Sequence, residues 1–326
     1  LTRELQITEW LNNILKNQEY TIKPASSDAS FRRYFRIVSS NQSYILMDAP
    51  PEKENSKPFV EIANVLFNAG LNVPKIHKAD FKKGFLLLSD LGNKTYLDEL
   101  NQQNASLLYR DAYLALIKIQ KNADTQSLKP YNDSLLMKEL SLFPDWYLKL
   151  HKSYQMNDSE KNILGLTFDL LIKNINSHTQ VFVHRDFHSR NLMFCNGDLG
   201  ENPGILDFQD AVKGSIVYDL VSLFKDAYIV WKEEEIMDWL IRYWEKAKQN
   251  KLKVQDDFAE FYRDFEWMGV QRHLKVLGIF ARLNYRDHKA NYLSDLPAVE
   301  NYLRRACERY KDLHPLLKLM NKLSST

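Results

Sequence analysis

Charged and polar residues surround Leu11, Ile14 and Leu15 in LTRELQITEWLNNILKNQEY, a pattern that predicts an amphipathic helix at the start of the chain. FRRYFRIV (31–38) and SYILMD (43–48) are rich in aromatic and β-branched residues and flank a short polar turn, which predicts a hairpin. After the break APPEKENSKP, the apolar residues Ile62, Val65, Leu66 and Ala69 recur with a helical period over 57–69. Asn-Ala-Gly at 68–70 ends that helix, with Gly70 as its C′ residue. GFLLLSDLG (84–92) reads as a buried strand running into a turn. Beyond Gly92 helical periods dominate: Leu164, Phe168, Leu171 and Ile175 share one face, as do Ile236, Leu240, Tyr243 and Trp244. One β island interrupts them, formed by VFV (181–183), LMF (192–194) and GILDF (204–208). The expected fold class is α+β in two lobes, a small β-rich lobe over 1–92 and a larger, mainly helical lobe over 93–326, with a hinge at 89–93.

With 326 residues, 44% hydrophobic and 12% aromatic, the chain can bury a sizeable, ring-rich core. A formal net charge of +2 gives no general drive toward nucleic acid or anionic membranes, so neither is expected as a partner. Cys195 and Cys307 form no CxxC pair, which excludes a zinc framework or a dense disulfide scaffold and leaves two reduced thiols. The N-terminal segment lacks the apolar stretch of a signal peptide. No run approaches the ~18 apolar residues of a membrane span. The expectation is a cytoplasmic monomer.

The segments VFVHRDFHSRNLMF (181–194) and GILDFQDA (204–211) carry the chemistry. Phosphoryl transfer needs a carboxylate beside the attacking hydroxyl, oxygen ligands for Mg²⁺, and cations or dipoles on the phosphates. His184, Arg185, Asp186 and Asn191 match H-R-D-x-x-x-x-N, the spacing of a protein-kinase catalytic loop. Asp207 follows Asn191 by sixteen residues, at the end of an apolar run, where a kinase carries its chief Mg²⁺ ligand. On this reading Asp186 takes the proton of the acceptor hydroxyl, Asn191 and Asp207 hold Mg²⁺, and His184 and Arg185 buttress the loop. Two other readings stand beside it: a buried, salt-bridged Asp186, and a transition-metal site on the alternating His184, Asp186 and His188. Arg185 and Arg190 would crowd such a metal site with positive charge.

HRDFHSRN together with LDFQDA resembles the aminoglycoside phosphotransferase superfamily, small-molecule kinases with a protein-kinase-like fold. SSDASFRRYFRI (26–37), ILMDAPPE (45–52), LLLSDLG (86–92), LDFQDAVKGSIVYDLVSLFKDAY (206–228) and QRHLKVLGIFARLNYRD (271–287) resemble, more narrowly, the anomeric cell-wall sugar kinases. These act on N-acetylmuramate and N-acetylglucosamine at C1. The resemblance implies ATP, Mg²⁺ and a place in peptidoglycan recycling, with a nucleotide-binding first lobe and a catalytic, substrate-binding second lobe. It also implies that Asp219 braces the catalytic loop and that Glu61 is the helix glutamate that usually pairs with a nucleotide lysine. That lysine is missing from Ile45-Leu46-Met47-Asp48, and glycine is missing from the turn Ser26-Ser27-Asp28-Ala29-Ser30. Ser30, backbone amides, or one of Arg32 and Arg33 would substitute, since neighbouring strand residues face opposite ways. Ser89 and Leu91 would bind adenine through the backbone.

His188, Arg190, Asp210, Gln271 and Arg272 are the candidates for the acceptor. Gln271, Arg272, His273 and Arg282 lie on a helix-like stretch whose arginines could bind a lactyl carboxylate bidentately or could form a solvated basic face. Asp210 and Asp226 could instead line an acidic pocket for an aminoglycoside, choline or another amino alcohol. The missing lysine motivates a third possibility, a nucleotide-binding pseudokinase.

Overall fold

The computed structural model describes residues 2–16, 18–27, 31–39 and 42–324. Two compact units make up the chain: Leu1–Lys94 with Met193–Asp210, and Thr95–Leu192 with Ala211–Thr326. No helix among the described residues is long and apolar enough to cross a membrane.

The first unit contains α1 (Arg3–Leu15), β1 (Tyr20–Ser27), β2 (Arg33–Ser39), β3 (Ser43–Asp48), α2 (Lys57–Asn68), β4 (Ile76–Asp80) and β5 (Phe85–Ser89). Its strands form one antiparallel sheet in the order β1-β2-β3-β5-β4. Strand alternation turns Ile37, Leu46, Phe85 and Leu87 toward Ile7, Trp10, Leu11 and Leu15 of α1, and this is the core of the unit. The hairpin read from the sequence is β2–β3, and Gly70 does end α2. With φ +85 it closes a Schellman motif, Gly70 N–H to the Phe67 carbonyl (3.0 Å) and Leu71 N–H to the Leu66 carbonyl (3.1 Å). The hydrophobic pattern gave no sign of β1 and β4. Both are sheet edges with polar sequences, YTIKPASS and IHKAD, as edges commonly are. The apolar run 204–208 was expected to be one strand. Only Gly204–Ile205 pairs, because Asp207 has φ +59 and leaves the extended conformation.

The second unit begins with α3 (Tyr96–Glu99), α4 (Ala105–Asn122), α5 (Asp133–Leu140), a π-helical segment (Phe143–His151) and α6 (Asp158–Ser177). Next come β6 (Gln180–Val183) and β7 (Leu192–Met193), which pairs with β8 (Gly204–Ile205) where the chain passes into the first unit. β9 (Val212–Ser215) returns to pair antiparallel with β6. The chain ends in α7 (Tyr218–Phe224), α8 (Glu233–Gln249), α9 (Phe258–Tyr285), α10 (Leu296–Arg309) and α11 (His314–Ser324). The expected faces are the buried faces of α6 and α8, except that Trp244 is only half-buried, and Trp239, Tyr109, Tyr218, Tyr243 and Phe224 make the core ring-rich. Both cysteines are free and buried.

α9 is the axis of the second unit, and every residue from Asp264 to Gly278 is buried. A solvated basic face was one reading of this stretch. The fold rules it out, because Gln271, Arg272, His273 and Lys275 all lie inside. Gly278 is required by close approach: a Cβ there would stand 2.4 Å from the Leu142 carbonyl carbon.

Candidate active site

Residues 181–183 of β6 are buried, and the strand delivers the chain into the loop that starts at His184. Arg185 has φ +79, an unfavourable conformation for a side-chain-bearing residue that Asp219 holds in place. The Asp219 carboxylate, at the start of α7, accepts from the backbone N–H of His184 (2.7 Å) and of Arg185 (2.9 Å). Within the loop, the Asp186 carbonyl accepts from the His188 N–H (3.0 Å) and from the Asn191 Nδ2 (3.0 Å). This second bond fixes the Asn191 amide, so its oxygen points away from Asp186's carbonyl. Asp226 anchors the middle of the loop: its buried carboxylate accepts from the Ser189 N–H (3.0 Å) and Oγ (2.5 Å).

The Asp186 carboxylate itself makes no hydrogen bond or ion pair among the described residues. Burial pushes its pKa up, but Lys275, His188, Arg272 and Arg185 outweigh burial and hold the group below the usual carboxylate range. The cations that do this are committed elsewhere. Lys275 Nζ lies 3.0 Å from Glu139 and donates to Tyr218 Oη at 2.9 Å. Arg185 pairs with Glu139, and Arg272 Nε donates to Ser222 Oγ at 2.7 Å. Burial lifts Asp219 to about 7, against the lowering effect of its two backbone donors. Burial lowers His188 below its ordinary value, against the raising effect of Asp226 and Asp186.

These contacts reassign several residues. Arg185 pairs with Glu139, and His184 Nδ1 accepts the Asp186 N–H at 3.3 Å. His184, Asp186 and His188 do not gather as ligands: no group of three or more His, Cys, Asp or Glu among the described residues could hold a metal ion. Gln271 is wholly buried, and both polar atoms of its amide lack a partner among the described residues. It and Arg272 lie in the buried stretch of α9. Asp226 serves as loop anchor and not as wall of an acidic pocket. Lys275 shares a helix face with Gln271 at i+4, a spacing visible in the sequence. Nothing in the local pattern MKEL marks Glu139.

In the first unit Asp207 sits at its left-handed position with Gln209 Nε2 donating to its Oδ1 at 2.8 Å. Gln209 also reaches the exposed Asp210 (3.3 Å). Phe208 packs on Phe59 of α2, ring centroids 4.9 Å apart, which fixes this segment against the helix. Of the two neighbouring arginines, Arg33 bonds Asp48 (3.0 and 2.5 Å), whose other oxygen takes Arg3. Arg32 lies the other way, within 3.5 Å of Glu54. Burial lowers its pKa, but Tyr34, Glu54 and Asp207 raise it further. Glu61 is exposed on α2 and has no ion-pair partner among the described residues. Where the sequence reading expects a hinge, the Ser89 N–H donates to the Lys75 carbonyl (2.9 Å), and Leu91 is packed with Met193 and Cys195. Asp90 is held bidentately by Nε and Nη2 of Arg36 (2.6 and 3.0 Å). Ser30 lies outside the described residues.

The chain is 42% identical over 328 residues to the N-acetylmuramate/N-acetylglucosamine kinase of Neisseria meningitidis, covering 99% of this chain and 96% of that one. It is 45% identical over 300 residues to the protein of the same name from Pseudomonas aeruginosa, covering 92% and 88%. Among solved structures, the choline kinase LicA from Streptococcus pneumoniae superposes with a TM-score of 0.65 at 13% identity, over 92% of this chain and 98% of that one. The ADP-bound aminoglycoside phosphotransferase APH(2'')-Ib gives 0.59 at 16% identity, over 91% and 97%. At such identity these two speak for the fold alone, the two-lobed kinase-like fold expected from the sequence. The model of the phosphotransferase enzyme family matches residues 21–256, and with relatives this similar along nearly its whole length, the chain belongs to that family.

Proposed function

We propose that this phosphotransferase moves the γ-phosphate of ATP to the anomeric hydroxyl of N-acetylmuramate or N-acetylglucosamine, in the recycling of peptidoglycan. One observation carries the chemistry: Asp186 is kept ionised by surrounding cations, yet its carboxylate has no bonding partner among the described residues. A carboxylate in that state can accept a proton. Hemiacetal hydroxyls are more acidic than ordinary alcohols, so a base of low pKa suffices. General-base help of this kind is worth ~10²–10⁴-fold. The names of the relatives support the amino-sugar acceptor.

The donor set suits Mg²⁺. Asn191, its amide oriented by the Asp186 carbonyl, and Asp207, steadied by Gln209, offer hard oxygens, and these two residues would hold the ion. When bound, Mg²⁺ neutralises charge on the phosphates. Asp219 and Asp226 keep the loop in register, and Arg32 is the cation next to Asp207 that stands in for the missing lysine. On this reading residues 1–92 form the nucleotide-binding lobe and 93–326 the catalytic lobe, and dependence on ATP puts the reaction in the cytoplasm. An amino-alcohol acceptor has less support, since Asp226 is buried and already bonded to Ser189.

Incubation with ATP, Mg²⁺ and either sugar, followed by phosphorus NMR, tests the proposal. A sugar-phosphate signal coupled to the anomeric proton, with loss of the reducing end, is the expected result. Phosphorylation of an amino alcohol in preference to both sugars would overturn it.

A further inference from the structure

The two proposed acceptors differ at one place. N-acetylmuramate carries a lactyl ether on O3, and therefore a carboxylate, where N-acetylglucosamine has a hydroxyl. An enzyme that accepts the acid gains from a cation near, but not at, the catalytic base. Most cations around Asp186 are spent: Lys275 and Arg185 on Glu139, Arg272 on Ser222. Arg190 is not. It is exposed, and it makes no hydrogen bond or ion pair among the described residues.

Its guanidinium lies 3.5 Å from the centroid of the Tyr228 ring and 6.0 Å from that of Tyr292. Those rings are themselves fixed. Phe280 packs on both (6.2 and 5.2 Å), and His188 meets Tyr228 edge-on at 5.4 Å. A guanidinium stacked by its face keeps its N–H edge open, and that edge matches a carboxylate bidentately. Asp295 senses the Arg190 charge without forming an ion pair with it. Arg190 also belongs to the same loop as the base. Asp186, His188 and Arg190 alternate along it, and His188 senses the charge of both neighbours.

We infer that Arg190, presented on the Tyr228 ring, binds the lactyl carboxylate of N-acetylmuramate and sets the preference between the two sugars. The inference rests on the amino-sugar reading above. Its test compares initial rates on both sugars for the wild-type chain, Arg190→Gln and Arg190→Lys, and adds the methyl ester of N-acetylmuramate as an uncharged acceptor. Arg190→Gln should lower the ratio of kcat/KM for N-acetylmuramate over N-acetylglucosamine by about tenfold or more, mainly through the KM of the acid. Arg190→Lys, with a charge but no fork, should recover part of it. Esterification should cost the wild type about the same factor and the Gln variant little more. A ratio within about twofold of wild type in Arg190→Gln, or an ester penalty equal in both proteins, overturns the inference. If the wild type phosphorylates neither sugar, the amino-sugar reading itself has failed and the inference falls with it. That outcome is distinct, because no baseline ratio then exists.

Discussion

Asp219→Asn separates bracing from stability. The side chain keeps its shape and loses its charge. In the wild type, the carboxyl is about 7 in the folded chain and 3.8 in its ordinary state, because burial disfavours the ionised form. A raised carboxyl favours folding fully below its ordinary value, and that contribution is lost as pH climbs toward 7. Two pH units of this window lie above pH 5, so wild-type stability should fall by about 3 kcal/mol from this group between pH 5 and pH 8. Asn cannot titrate and escapes the loss. It does bring one new fault. Two backbone N–H groups point at the site, and an amide offers one oxygen to them and an NH₂ to the other, a mismatch of about 1–3 kcal/mol. Asp219→Asn should therefore be less stable than wild type at pH 5 and equal or slightly more stable at pH 8. At pH 8 the folded variant should still lose turnover, since Arg185 at φ +79 has lost part of what holds it. Urea unfolding of both proteins at the two pH values, with kcat at pH 8, decides the matter. A stability difference that is the same at both pH values, or full turnover in the variant, would refute the reasoning.

Asp186→Asn should leave the fold intact and reduce kcat by ~10²–10⁴-fold; turnover within about tenfold of wild type would remove Asp186 as the base. Arg32→Gln should raise the KM for ATP, whereas Arg33→Gln, which only frees one side of Asp48, should leave it near wild type; steady-state kinetics with ATP varied distinguishes them. Gly278→Ala drives a Cβ into the Leu142 backbone and should destabilise the second unit by about 1–3 kcal/mol or more, read as a lower midpoint in urea.

The sequence was most legible where one physical rule acted alone. The stripe of α1, the face of α6 and the C′ position of Gly70 each follow from a period or a turn, and each stands where it was expected. Reading failed where tertiary context decided. β1 and β4 hide because an edge strand needs little apolar surface. The basic-looking stretch 271–275 hides its burial, because the charges of Lys275 and Arg272 are met by the distant partners Glu139 and Ser222. The loop residues Asp186 and Asn191 could be named from spacing. Their anchors Asp226 and Glu139 could not, since 37 residues separate Asp226 from Ser189 and 46 separate Glu139 from Arg185.

Synthesis of the chain has to contend with the placement of Met193–Asp210. The first unit is complete only when this segment has joined residues 1–94, as the parallel bridge of Asn72 with Gly204 and the packing of Leu91 on Met193 and Cys195 require. At about 5–20 residues per second, a ribosome that has finished residue 94 needs on the order of ten seconds to reach residue 210. During that interval Leu91 has no covering partner from the later segment, and a nascent first unit is open to premature contacts. Truncation at the end of the first lobe would make the interval permanent. A soluble isolated lobe therefore calls for grafting 193–210 onto residues 1–94 through a designed linker, not for cutting the chain once.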